Sequence, residues 1–111
     1  MVVVFITDLE KRLYNEMINN YKRADQECGY RAPRFLQMLD RRGPVEAAKI
    51  LIRKPAGGEG FIKLLELGRL DLSIEALVIR DEFKPLFTEE EIEICRKKLE
   101  ECDYLKSRIK K

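Results

Sequence analysis

Apolar residues recur at three- and four-residue spacings along most of the chain, which is the period of a helix that buries one face. The first such run follows the capping box Thr7-Asp8-Leu9-Glu10, whose hydroxyl and carboxylate can satisfy the free N–H groups of a helix start. Gly29 then has the place of a C-terminal cap. The sequence therefore predicts a first helix between Thr7 and Gly29. Its apolar stripe comprises Leu9, Leu13, Met17, Tyr21, Ala24 and Cys28.

Two prolines mark the starts of the next two helices. Pro33 and Pro44 suit a first helical turn, where the missing N–H has no partner to lose, and Gly43 ends the second helix between them. The third helix is predicted to stop before Pro55. The segment 56–60 is then predicted to be a flexible connector, because it lacks the Gly-Lys-Ser/Thr ending of a phosphate-binding loop. The buried sides of these two helices comprise Phe35, Leu36, Met38, Leu39, Val45, Ala47, Ala48, Leu51 and Ile52.

Three further helices complete the pattern. A short fourth helix covers residues 61–67, and either Asp71 or Ser73 caps a fifth. A second capping box, Thr88-Glu89-Glu90-Glu91, starts a sixth helix, and the acids of this box and Glu93 are expected to be solvated. The stripe of the sixth helix comprises Ile92, Cys95, Leu99 and Cys102, and Phe83, Leu86 and Phe87 are expected to fill the core from the connector around Pro85.

The sequence thus predicts an all-α protein, a single compact orthogonal bundle of about six short helices. One domain is expected to span residues 1–111, with an apolar lead-in at residues 1–6 and a basic tail at residues 105–111. The lead-in is too short for a signal peptide or a membrane helix, which needs about 20 apolar residues. These features predict a cytoplasmic protein without membrane association.

The composition argues against catalysis. There is no His among the 111 residues, so the commonest general base and metal ligand is missing. The three Cys lack a C-x-x-C spacing and are expected to be reduced and buried. We therefore expect no catalytic residue, no metal, no cofactor and no cleft. A metal-dependent hydrolase that uses Asp71 and Glu75 is the weakest alternative.

Charge is unevenly distributed, although the chain as a whole carries only +2. Residues 31–69 hold nine basic and four acidic residues, net +5, whereas residues 70–104 hold five basic and eleven acidic residues, net −6. Such segregation favours a surface that binds nucleic acid or a nucleoprotein. The candidate contacts are Arg31, Arg34, Arg41, Arg42, Lys49, Arg53 and Lys54.

Two other interpretations of the charges stay open. The second and third helices form a helix-turn-helix skeleton, but the third helix has no Asn, Gln, Ser or Thr to read base edges. The arginines of the second helix, including Arg31, could instead form a stripe that faces the acidic last helix. A protein–protein module or homodimer, built on residues 1–6 and that last helix, is the alternative function.

Three segments resemble a widespread family of small uncharacterised prokaryotic all-helical proteins. They are GYRAPRFLQMLDRRGPVEAAKILI, GFIKLLELGRLDLSIEALVI and LFTEEEIEICRKKLEECDY. The resemblance implies a helical fold and a cytoplasmic setting in a prokaryote, in some cases beside restriction or nuclease modules, and it transfers no catalytic residue. Its landmarks are Phe35-Leu36, Glu46-Ala47-Ala48, Gly60-Phe61, the segment from Gly68 to Leu72, Glu75 and the segment from Leu86 to Thr88. Cys102-Asp103 replaces the glycine-containing helix end that the resemblance implies, so the last helix is expected to continue into the basic tail.

Overall fold

A computed structural model describes residues 7–54 and 58–109, and over these ranges the protein is all-α with no strand. The predicted fold class is confirmed. None of the helices in these ranges has both the length and the apolar character needed to cross a lipid bilayer. The elements are α1 (Asp8–Cys28), α2 (Pro33–Arg42), α3 (Pro44–Ile52), α4 (Gly58–Glu66), the 3₁₀ turn Leu70–Leu72, α5 (Ile74–Val78), the 3₁₀ turn Asp81–Leu86 and α6 (Glu89–Ile109).

Both ends of α1 are those that the sequence predicts. The Thr7 hydroxyl accepts a hydrogen bond from the Glu10 N–H at 3.1 Å. Gly29 ends the helix with φ at +68°, a left-handed conformation that a β-carbon would strain. The chain can therefore turn sharply at Gly29 and enter α2 at Pro33, the predicted first residue.

The core is centred on α3, which contacts α1, α2, α5 and α6. Ala47 and Ala48 are fully buried in it, and their small side chains let neighbouring helices approach closely. Phe83 and Phe87 enter from the second 3₁₀ turn and its end, as predicted. The other members of this core cluster are Leu13, Met17, Leu39, Ile52, Leu77, Val78 and Cys95.

The predicted start of α4 is wrong, whereas the cap of α5 and the end of α6 agree with the sequence prediction. α4 begins at Gly58, so the second half of the predicted connector is the first turn of a helix. Ser73 caps α5 by accepting a hydrogen bond from the Ala76 N–H at 3.2 Å. α6 continues to Ile109, so most of the predicted basic tail is helical. The apolar lead-in and the homodimer contact predicted for it lie outside the described residues.

The predicted burial of the cysteines is confirmed for only one of them. Cys95 is fully buried, and burial raises its pKa to about 12. Cys28 and Cys102 are only half-buried, because each lies near an end of a stripe rather than at its centre. All three thiols are free of disulfides.

Glu91 ties the start of α6 to α3. Its Oε1 accepts the Thr88 N–H at 3.0 Å, while the Thr88 hydroxyl accepts the Glu91 N–H at 3.1 Å, so the second capping box is formed. The side chain is only 1% exposed, and the prediction of a solvated acid is wrong for it. Arg53 Nη2 lies 2.9 Å from Oε2 and Lys49 Nζ lies 3.5 Å from Oε1. The buried Glu91 carboxylate therefore caps the start of α6 and also binds two cations at the end of α3.

Burial and the neighbouring donors shift the pKa of Glu91 in opposite directions. Burial by itself raises the pKa of the carboxyl group, but the Thr88 N–H, the Arg53 guanidinium and the Lys49 ammonium outweigh it. The resulting pKa lies below its usual 4.5. Glu91 is therefore ionised at neutral pH, and its charge stabilises the folded state.

Lys98 forms a second tie between α6 and the middle of the chain. Its ammonium donates to the Ile52 carbonyl at 2.6 Å and to Glu75 Oε2 at 3.2 Å, and lies 5.8 Å from the centre of the Phe61 ring. The Ile52 carbonyl is in the last turn of α3, where no helical N–H is available to it. Glu75 is 3% exposed, and its burial raises the pKa of its carboxyl group despite Lys98.

Removal of the Glu91 carboxylate tests its double role. We expect Glu91→Ala to lower the free energy of unfolding by about 3 kcal/mol, because two cations and the Thr88 N–H lose their acceptor. Glu91→Gln keeps the cap and should cost about 1 kcal/mol at pH 7. Urea unfolding measures both values. The wild-type advantage over Gln should vanish as the pH falls below the lowered pKa of Glu91, since the carboxyl group is then neutral.

The exposed neighbour Glu90 gives the matched control, because it lies in the same first turn without burial. Glu90→Ala and Glu90→Gln should change the free energy of unfolding by less than about 0.5 kcal/mol. Equal effects at Glu90 and Glu91 would contradict the tie to α3.

Replacement of Lys98 by Met should destabilise the protein in a pH-dependent way. We expect a loss of about 3 kcal/mol at pH 7, because Glu75 stays buried without its cation. The folded-state pKa of Glu75 is already raised above its usual 4.5. The loss of stability from the buried, ionised Glu75 is therefore absent below about pH 4.5 and grows as the pH rises. Urea unfolding at acidic and neutral pH measures the difference. Lys97→Met, at an exposed neighbour, should have little effect, and a pH-independent loss in Lys98→Met would contradict the role of Glu75.

Candidate functional site

The seven basic residues predicted to contact nucleic acid lie in three places. Lys49 and Arg53 share one face at the end of α3, and that face meets Glu91. Arg41 and Arg42 are exposed in the last turn of α2, where positive charge complements the helix dipole. The other three residues, Arg31, Arg34 and Lys54, line one cavity.

The cations that meet the acidic last helix are not the ones that the alternative interpretation named. The acidic last helix is met by Lys49 and Arg53, and not by the arginines that the sequence placed on a stripe of the second helix. Arg31 precedes α2 and so cannot belong to that stripe; its Nη2 lies 3.4 Å from Asp25 Oδ2, in an ion pair that leaves the Arg31 side chain 69% exposed. Arg34 and Lys54 are exposed and form no ion pair within residues 7–54 and 58–109.

The cavity encloses about 480 Å³ between α1, the start of α2, the end of α3, α4 and α5. The sequence predicted no cleft from which a reaction could run, and it gave no sign of the cavity that the structure contains. Ala24 of α1 and Gly60 of α4 both line the cavity. Because Ala has a small side chain and Gly has none, the space between these helices stays unfilled. Its volume lies within the range of roughly 300–1,000 Å³ that is typical of small-molecule sites.

Aromatic rings form much of the cavity wall. Tyr21 of α1 and Phe35 of α2 are stacked, with ring centres 6.3 Å apart and planes at 20°. Tyr30 and Phe61 also line the cavity. Sequence periodicity had assigned Tyr21 and Phe35 to the core, but each is only half-buried because one side of its ring borders the cavity.

Asn20 is one of the buried polar side chains of this wall, together with Ser73 and Glu75. It is 6% exposed, lines the cavity, and its amide nitrogen has no hydrogen-bond partner among the described residues. A buried donor without a partner costs free energy because it has lost its water. The sequence contained a signal for this residue: Asn20 lies three residues after Met17 and four before Ala24, so a polar amide occupies the buried stripe.

The other buried polar side chains of the wall, Glu75 and Ser73, are already engaged. Glu75 is paired with Lys98, and the Ser73 hydroxyl donates to the Leu70 carbonyl at 2.7 Å while capping α5. Asp71, the partner of Glu75 in the metal-hydrolase alternative, pairs with Arg69 at 3.0 Å. Within the described ranges, no three His, Cys, Asp or Glu side chains form a group that could hold a metal ion.

Comparison with known proteins finds no matching family model, no matching curated protein and no matching solved structure. The resemblance to a family of small prokaryotic proteins therefore stays a prediction. The cavity and the charges around it are the observations on which a function can be argued.

Replacement of Asn20 by Leu should stabilise the ligand-free protein. Leu has nearly the shape of Asn and removes the unpaired donor, so we expect the free energy of unfolding to rise by about 1 kcal/mol. Thermal and urea unfolding measure this change. Asn19→Leu is the matched control at an exposed neighbour and should change the stability by less than about 0.5 kcal/mol. Clear destabilisation by Asn20→Leu would show that the amide has a structural partner.

Proposed function

We propose that this protein is a non-enzymatic binding module that contacts single-stranded nucleic acid at the cavity mouth. The observation that supports the proposal most is the convergence of Arg31, Arg34 and Lys54 on one aromatic-lined cavity. Lys54 follows the end of α3, far in sequence from Arg31 and Arg34 near the start of α2, yet the fold places all three on one cavity. Phosphate groups are the ligands that such a cluster suits.

The aromatic wall favours a single strand over a duplex. Proteins that bind single strands combine a basic surface with aromatic side chains on which unpaired bases stack. A duplex reader would instead present the outer face of α3 to a groove. Two of the basic residues of that face, Lys49 and Arg53, are engaged with Glu91, and Glu46 adds a negative charge.

The basic surface extends from the cavity along α2. Arg34 and Arg41 are seven residues apart and so share a helix face over about 10 Å. Arg42 adds a further exposed charge at the same helix end. The acidic residues of α6 keep to the other half of the chain, so a polyanion can approach α2 with little repulsion. The proposed setting is the prokaryotic cytoplasm, in agreement with three free thiols.

Removal of two rim cations tests the proposal. We expect the double variant Arg34→Ala/Lys54→Ala to weaken binding of a single-stranded oligonucleotide by about tenfold, because two phosphate contacts are lost. Fluorescence anisotropy at several salt concentrations measures the affinity. The slope of log K against log salt should fall by about 1.4, from about 0.7 for each lost contact.

The double variant Lys22→Ala/Lys97→Ala is the charge-matched control, since both residues are exposed and neither lines the cavity. It should bind almost as tightly as the wild type. Equal weakening by the two double variants would show that net charge, not the cavity mouth, attracts the strand. No binding by the wild type at about 50 mM salt would contradict the proposal.

A further inference from the structure

We infer that the cavity is a binding site for one nucleobase that carries a phosphate, with the base inside against Asn20 and the phosphate on Arg31, Arg34 and Lys54. Two sources can supply this ligand: a free nucleotide, or an unstacked base of a single strand. Only the second source rests on the proposed function.

Burial separates the polar groups of the cavity into two sets. Asn20, Ser73 and Glu75 are buried, and of these only the Asn20 amide lacks a hydrogen-bond partner among the described residues, whereas Arg31, Arg34 and Lys54 are exposed. The Asn20 amide can therefore take an uncharged acceptor, and the exposed cations suit an anion. A ligand that contacts both Asn20 and the cations must carry a hydrogen-bond acceptor at one end of the molecule and an anion at the other. Inorganic phosphate is too small for this, and a fatty acid has no acceptor at the end opposite its carboxylate.

The wall between these two ends favours a planar ring. Tyr21, Tyr30, Phe35 and Phe61 supply aromatic surface, and the faces of nucleobases stack on such rings irrespective of sequence. The edge of every base also carries ring-nitrogen or carbonyl acceptors for an amide N–H. A base with its phosphate therefore offers all three features that the cavity requires.

One polar group of the cavity is in an unfavourable environment that such a ligand would relieve. The exposed side chains of Arg34 and Lys54 are solvated and form no ion pair among the side chains that the structure describes, so they are available to an anion. A buried amide lacks a hydrogen bond in the same cavity. Places where a fold breaks its own rules of pairing are often the places where a ligand binds.

Isothermal titration calorimetry with adenosine monophosphate tests the inference, because the adenine edge complements an asparagine amide. We expect millimolar or tighter binding by the full chain and a loss of at least about tenfold in Asn20→Leu, which removes one buried hydrogen bond. Asn19→Leu should bind like the wild type. Adenosine should bind about tenfold more weakly than the monophosphate, and inorganic phosphate should bind more weakly than either. Equal affinity of Asn20→Leu and wild type for the monophosphate would overturn the inference. Absence of monophosphate binding would overturn it as well, if the oligomers compared below also show no dependence on a base.

A strand arm separates the two sources of the base. A short deoxyadenosine oligomer is compared with an abasic oligomer of the same length, in the wild type and in Asn20→Leu. Tighter binding of the base-bearing oligomer that is lost in Asn20→Leu assigns the cavity to a base of the strand. Monophosphate binding that depends on Asn20, with no such dependence for the oligomers, assigns it to a free nucleotide.

The two proposals can fail separately. If oligomer binding depends on Arg34 and Lys54 but is equal for abasic and base-bearing oligomers, the proposed function is supported. If the monophosphate also fails to bind in that case, the nucleobase site is excluded. Monophosphate binding without oligomer binding supports the nucleobase site and excludes the proposed function. Asn20→Leu is expected to fold at least as stably as the wild type, so a loss of binding cannot be assigned to unfolding.

Discussion

The carboxylate of Glu91 fixes the start of α6 to α3, and the apolar packing of α6 against α5 and the Lys98 contacts hold the rest of the helix. A helix start leaves several N–H groups without partners, and in α6 one residue satisfies the first of them and accepts two cations from α3. Because α3 lies at the centre of the bundle, a helix fixed to α3 is fixed to the whole core. The same contact pairs Lys49 and Arg53 with an acid although the Arg53 side chain stays 56% exposed, so it also influences which cations remain for a partner.

The helices were predictable because their signals are local. Thr7, Gly29, Pro33 and Pro44 each satisfy or remove a particular backbone group, and a single sequence is enough to recognise them. Errors occurred where a distant contact prevails over a local preference. Gly58 is a poor helix former, yet α4 begins there and carries Phe61 and Leu64 into the fold, where both are buried.

The site was less predictable than the fold, because a cavity is a property of the assembly. Arg31, Arg34 and Lys54 were candidates from charge alone, but no spacing in the sequence showed that they line one opening. Lys49 and Arg53 had the same signal, and only the position of Glu91 distinguishes them. Asn20 shows what could have been found earlier: a polar amide on an apolar stripe indicates a place where the core is incomplete.

The ammonium group of Lys98 also limits how this protein can evolve. It holds Glu75 and contacts Phe61, and both of these residues form part of the cavity wall. A substitution of Glu75 would therefore change the cavity wall and break a buried ion pair at the same time. The stacked rings of Tyr21 in α1 and Phe35 in α2 take part in no ion pair, and each ring is only half-buried. Substitutions in the part of the wall formed by α1 and α2 should therefore be tolerated more readily than substitutions at Glu75 or Phe61, which contact Lys98 of α6.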